Sequence, residues 1–212
     1  MELSFRTGRP EDAATAAPLI HASGPAAFTY VFGERALELL TSCWERDEGI
    51  FGCGNHEVAV LEKRVVAVGA FYDDAMLRAR TAGTATGIAR VYGPAAPGVL
   101  LRAVRVAPLM PPPVEAELYV AHLAVEPALR GRGIMTRMLE RRIEVARASG
   151  YRRMALDVAR TNPGARRLYE RLGFRVVELR RSTVGEGPLR VPDHYRMELD
   201  LGASRCGSRS RG

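Results

Sequence analysis

Cysteine is scarce in this chain: Cys43, Cys53 and Cys206 are the only three among 212 residues. Three scattered thiols build neither a disulfide framework nor a zinc knuckle, and the odd count fits a reducing compartment. Histidine is nearly as sparse. His21, His56, His122 and His194 lie in four separate segments without HxH or HExxH spacing, so no metal is expected. Lysine is all but missing; Lys63 stands alone and arginine carries the positive charge. Long apolar runs are absent. Charge, glycine or proline breaks each one before the roughly 20 residues a membrane helix needs. Aromatic residues make up 7%, with no evident platform for stacking bases, which argues against a nucleic-acid partner. The opening Met-Glu-Leu-Ser-Phe-Arg reads as the start of a strand rather than a signal peptide, and the expected location is the cytoplasm.

What is present suffices for one ordinary domain. Apolar residues are 47% and charged residues 26%, with a net charge of +7. One domain is expected over residues 1–201. The Ser-, Arg- and Gly-rich stretch 202–212 is expected to be a disordered basic tail. Alternation predicts a first strand at Leu3–Arg6. Helices are predicted from Pro10 to Gly24 and from Glu34 to Arg46. A hairpin follows, Glu57–Leu61 with Val65–Tyr72. Residues 73 to 113 are dense in proline and predict a loop-rich cover with short helices near 75–80 and 97–106. Order returns with a strand at Glu117–Val125, a helix from Gly131 to Ser149 and a strand at Arg153–Val158. A helix from Asn162 to Arg171 and strands at Phe174–Leu179 and Tyr195–Leu201 complete the pattern. Strand, crossover helix, strand implies a parallel pair; the early hairpin is antiparallel.

The most telling stretch is Arg130-Gly131-Arg132-Gly133-Ile134-Met135, between the strand ending at Val125 and the helix that follows. A glycine turn entering a helix lets the backbone approach a ligand, and the first helical N–H groups have no partner within the helix. The helix dipole adds partial positive charge there, so the favoured ligand is a phosphate or pyrophosphate. Eight arginines against two acids between Arg130 and Arg153 would draw in such an anion.

Further pieces stand at fixed offsets. Glu117 precedes the turn, Asp157-Val158-Ala159 follows its helix, and then comes Asn162-Pro163-Gly164-Ala165 through Leu172-Gly173-Phe174. The set resembles the GNAT superfamily of acetyl-coenzyme A-dependent N-acetyltransferases. Arg130, Gly133 and Met135 fall on the marked positions of that family's pyrophosphate motif, Arg/Gln-x-x-Gly-x-Gly/Ala. Met135 departs from it, bringing a side chain that could crowd the turn. Asn162, Ala165, Leu168, Tyr169 and Leu172-Gly173-Phe174 look like the family's second helix motif.

The resemblance implies an α/β (α+β) fold: a mixed, mostly antiparallel central sheet, a splayed parallel strand pair, and helices on both faces. It implies acetyl transfer from acetyl-CoA to a primary amine by direct attack in a ternary complex, with no metal. Backbone amides of Arg130, Gly131, Arg132, Gly133, Ile134, Met135 and Thr136 would hold the pyrophosphate. Main-chain groups of Leu123 and Val125 would pair with the pantetheine arm, and Asn162 would bond its end. Tyr169 would serve as general acid for the leaving thiolate. Glu117 is the first candidate for the general base, although an ungapped alignment puts Tyr119 at the family's glutamate position. His122 is the second, joined to Glu117 only if a bulge turns it.

Plainer readings stand beside these. Glu117 could be a strand-end charge, His122 a structural histidine, Tyr169 core packing, Asn162 a helix N-cap, and the thiols inert. Alternatives for the whole are a different acyl group or acceptor, or coenzyme A binding without catalysis. The acceptor, a small-molecule or peptide amine, is expected against residues 25–35, 73–113 and 183–193. Phe28, Tyr30, Phe32 and Tyr72 are candidates to line its pocket or to belong to the core; the oligomeric state is open, with a homodimer suggested by the family.

Overall fold

The computed structural model describes residues 3–202. Seven strands form one sheet: β1 Leu3–Thr7, β2 His56–Leu61, β3 Arg64–Tyr72, β4 Glu117–Val125, β5 Arg153–Ala159, β6 Arg175–Arg180 and β7 His194–Asp200. Their order is β1-β2-β3-β4-β5-β7-β6. The β4–β5 pair is parallel and every other neighbouring pair antiparallel. The expected mixed sheet is therefore present. The hairpin between β2 and β3 closes through Glu62 and Lys63, both at positive φ (51° and 65°), the backbone a two-residue turn with matching twist requires.

The helices are α1 Ala13–Ser23, α2 Pro25–Phe32, α3 Ala36–Glu45, α4 Asp74–Tyr92, α5 Ala96–Val106, α6 Ile134–Ala148 and α7 Pro163–Arg171. The first five pack on one sheet face, where Ile20, Leu39, Leu40, Trp44 and Val99 meet Val58 and Val68. The last two pack on the other, where Met138, Leu139 and Tyr169 meet Leu118, Leu156 and Met197. Helices thus cover both faces. No helix among the described residues is long and apolar enough to cross a membrane.

The region 73–113 corrects the sequence reading. In place of a loop-rich cover with two short helices it holds a 19-residue α4 and an 11-residue α5. The Asp73 side chain caps α4 by accepting from the Met76 N–H at 2.8 Å. Two glycines within the helix serve packing. A Cβ on Gly83 would stand 2.7 Å from the Gly49 nitrogen, and one on Gly87 would stand 2.5 Å from the Cys43 sulfur. Close approach to α3 and its loop thus stabilises a helix whose local propensity is weak. Cys43 and Cys53 are buried and unpaired, and burial pushes the Cys43 thiol up to about 11. Of the expected tail 202–212, only Gly202 is described; residues 203–212, Cys206 among them, lie outside the described residues.

Candidate active site

The β4–β5 pair is zipped only from Glu117 to Val120, against Arg153 to Leu156. Beyond that, residues 121–125 have no β5 partner, while β5 stays paired with β7 on its other edge throughout Arg153 to Ala159. The split opens into two adjoining cavities. One, of about 800 Å³, runs from Leu123 and Val125 to the turn at Gly131 and Gly133. The other, of about 450 Å³, lies between α2, α5 and the tips of β4 and β5. Both are walled by Leu123, Asn162, Ala165, Tyr169 and His194, which mark their junction.

At its Gly131–Gly133 end the first cavity presents backbone. Gly131 and Gly133 sit at φ +77° and +76°, where an L side chain is strained, and a Cβ on either would meet nothing within 4 Å. The glycines are there for conformation, with open space in front. Gly133 is the N-cap of α6 with no side-chain cap, and the first backbone bond of the helix runs from the Arg137 N–H to the Gly133 carbonyl. Helical N–H groups ahead of Arg137 therefore face the cavity at the positive end of the dipole, an arrangement suited to phosphate oxygens. Met135 does not crowd the turn. Its side chain is buried in the core between α6 and the sheet. Arg130 lines the cavity, whereas Arg132 lies outside its lining and is exposed.

At the junction, Asn162 caps α7, its Oδ1 accepting from the Ala165 N–H at 3.1 Å. The N-cap reading holds, and the side-chain amide nitrogen is left over. Tyr169 is buried at 7% exposure beside Phe174, and burial pushes its phenol up, so it stays protonated as a donor. His194, which sequence reading left without a role, bonds its Nδ1 to the Pro192 carbonyl at 2.8 Å. Since a carbonyl only accepts, that nitrogen carries the proton and Nε2 offers a lone pair.

The second cavity holds the central polar feature. His56 Nδ1 lies 2.9 Å from the Gly52 carbonyl, and His56 Nε2 lies 3.0 Å from His122 Nδ1. The carbonyl fixes both tautomers. His56 donates from Nδ1, its Nε2 accepts the His122 Nδ1–H, and the remaining nitrogen of His122, Nε2, keeps its lone pair on the cavity side. Burial takes His56 down to about 4; burial and then the neighbouring His56 hold His122 well below its ordinary value. Both rings are neutral at pH 7. Phe28 and Phe51 pack on His122 at 5.9 and 5.5 Å between ring centroids.

A bulge places that ring. His122 has φ +54°, and the β3–β4 register slips between Val68 and Ala70. Gly69 stands opposite, where a Cβ would approach Leu123 Cδ2 to 2.8 Å. His56 was missed by sequence reading. Its only signal is positional: His56 pairs with Ala70 and Ala70 with Ala121, which sets β2's first residue in the row next to His122.

Glu117 is a correction. It is 1% exposed, pairs with Arg196 and lies 3.4 Å from Arg153. It sits at the zipped end of β4, absent from both cavity walls and roughly 16 Å along the strand from His122. The bulge turns His122 but does not bring the two together. Glu117 ties β4, β5 and β7; it is not placed to act as a base. Of the aromatic candidates, Phe28, Phe32 and Tyr72 line the second cavity, while Tyr30 does not. Residues of 25–35 and of α4, α5 and 107–113 contribute to its wall, but none of 183–193 does.

A family model described as the acetyltransferase (GNAT) family matches residues 26–174. A curated relative, GCN5-related N-acetyltransferase 6, chloroplastic, of Arabidopsis thaliana, is 38% identical over 60 residues, which is 28% of this chain and 21% of that protein. The chain thus spans about a fifth of that relative's length. A GCN5-related N-acetyltransferase from Kribbella flavida superposes with a TM-score of 0.60 at 19% identity, over 93% of this chain and 97% of the other. An acetyltransferase from Salmonella typhimurium, solved with its cofactor acetyl-CoA, superposes with a TM-score of 0.55 at 18% identity, over 99% of each chain. Likeness at these identities is one of fold.

Proposed function

The chain belongs to the acetyltransferase (GNAT) family, an acyltransferase family that uses acetyl-CoA, and from this premise we propose that it transfers an acetyl group from acetyl-CoA to a primary amine by direct attack. The observation that carries the reading is the continuous split in the sheet, from the Gly131–Gly133 turn past Tyr169 to His122. The bound thioester supplies an acyl carbon activated toward amines. The backbone from Arg130 to Thr136 binds the pyrophosphate, Arg132 through its main chain only. The unpaired edge of β4 at Leu123 and Val125 aligns the pantetheine arm as a further strand would, and the Asn162 amide nitrogen donates to its end.

His122 replaces Glu117 as general base. Its Nε2 is the nitrogen free to accept the proton that the attacking amine loses, and His56 with the Gly52 carbonyl keeps it in that tautomer. His56 is a positioning residue. Tyr169 donates a hydrogen bond to the leaving sulfur. A thiol titrates near 8.5 and a phenol near 10, and burial raises this phenol further, so stabilisation of the thiolate outweighs full proton transfer. We assign the activity to one domain over residues 1–201, acting in the cytoplasm on a small-molecule or peptide amine, as monomer or homodimer.

The test is calorimetry with coenzyme A followed by thiol release from acetyl-CoA over an amine panel. His122→Asn, chosen because Asn tolerates positive φ, should lower kcat by about 10²–10³ and leave coenzyme A affinity unchanged. Equal kcat would remove His122 from the base role.

A further inference from the structure

The second cavity is unusual in what its wall offers a nitrogen. Phe28, Val31, Phe32, Phe51, Tyr72 and Met110 make it apolar. Among the described residues lining it there is no arginine, lysine or glutamate, and a single aspartate, Asp157. That carboxylate is already engaged. Its Oδ1 accepts from Arg180 at 2.7 Å, and its Oδ2 accepts from the Tyr119 hydroxyl at 2.9 Å and from Arg196 at 3.2 Å.

Elsewhere among the described residues, each buried acid has a cation. Asp12 has Arg6, Glu57 has Arg141 and Arg142, and Glu117 has Arg196. An ammonium entering the second cavity would have no such partner and would lose its hydration uncompensated. What the wall does offer is acceptors. His122 and His194 each have Nδ1 committed, to His56 and to the Pro192 carbonyl, and each presents Nε2. A neutral amino group has N–H bonds to give to such acceptors and keeps its own lone pair free for attack.

We propose that the acceptor is a compact apolar amine whose nitrogen is uncharged at neutral pH, of the aromatic-amine class, and not an ammonium-bearing polyamine, amino sugar or basic peptide. The inference rests on the acyltransferase reading above. Aromatic amines meet the requirement because the ring withdraws the lone pair enough to leave the nitrogen unprotonated at pH 7. A cavity of about 450 Å³ suits a ligand of this size. The amine nitrogen forms a bond to the acyl carbon as the carbon–sulfur bond breaks with its electron pair on sulfur. One N–H proton passes to His122 Nε2 and leaves with the thiolate as thiol, so the products are the amide and free coenzyme A. Burial keeps both imidazoles neutral, which suits them to a nitrogen that becomes acidic only during attack. An alkylammonium, titrating near 10.4 like lysine, would not surrender its proton to them beforehand.

The experiment compares two isomers, 4-ethylaniline and 2-phenylethylamine, which share every atom and differ in the charge of the nitrogen at pH 7. Coenzyme A affinity of the full-length protein is measured first by calorimetry. Binding of each isomer is then read as a thermal shift of the coenzyme A-loaded protein, and turnover as thiol release from acetyl-CoA. The expected result is a preference for 4-ethylaniline of about tenfold or more in kcat/KM, equivalent to about 1.4 kcal/mol, with the larger thermal shift. Ala103→Asp, which puts a carboxylate on the α5 wall, should move the preference toward 2-phenylethylamine by about the same factor. Coenzyme A binding together with preference for 2-phenylethylamine or spermidine, or with turnover of neither isomer, overturns the inference alone. Failure to bind coenzyme A overturns the acyltransferase reading and the inference with it.

Discussion

The two ends of the cleft are built from different materials. The end at Gly131 and Gly133 is main chain: amides, a positive φ at two glycines, and one helix terminus, all within a few consecutive residues. The end at His122 is side chain, assembled from α2, the 49–56 loop, β4, α5 and β7. Main-chain sites demand particular residues at fixed spacing, so they leave a signature in the sequence. Side-chain sites demand only that distant positions converge, which local spacing does not record.

Substitutions can break that contrast or sharpen it. The largest effect is expected at the main-chain end. Gly133→Glu forces a side chain into a φ of +76° and puts a negative charge among the free amides, so coenzyme A affinity should fall by about 100-fold or more. Calorimetry reads this directly, and unchanged affinity would mean the turn does not hold the phosphates. A smaller loss is expected at the junction. Tyr169→Phe removes one hydrogen bond to the leaving group and should lower kcat about tenfold with coenzyme A affinity retained. Equal kcat would reduce Tyr169 to packing. The smallest effect on turnover is expected outside the cleft. Glu117→Gln should leave kcat per folded molecule unchanged while destabilising the fold by about 3 kcal/mol, as breaking a buried ion pair does. Denaturant unfolding measures the second quantity, and a collapse of kcat with intact stability would restore Glu117 as a base.

The same contrast explains what the sequence disclosed. Strands β4 to β7 and helices α6 and α7 are legible within a few residues, because apolar periodicity, Gly133, Asn162-Pro163 and Gly173 mark them locally. Helix α4 is not, since the prolines of 73–113 read as loop, and the packing of Gly83 and Gly87 against Gly49 and α3 that holds the helix has no local mark. The turn, Asn162 and Tyr169 came from motif position. The engagement of Glu117 with Arg196, 79 residues away, is not legible, because a carboxylate on the right strand does not disclose its partner. The partnership of His122 with His56, 66 residues distant, depends on a bulge and on cross-strand register together. Neither has a residue code of its own.

Only four backbone ladder pairs, Glu117 to Val120 with Arg153 to Leu156, join strands β1–β4 to strands β5–β7, with the Glu117–Arg196 and Tyr119–Asp157 side-chain contacts beside them. The sheet is thus two groups of strands on one short ladder seam, spanned on one face by the core under α6 and α7, and a ligand lying in the split adds a further tie between them. Its presence adds RT ln(1 + [L]/Kd) to the stability of the whole molecule. Amides of residues 121–125 that face the β5 side are expected to gain exchange protection when the ligand binds.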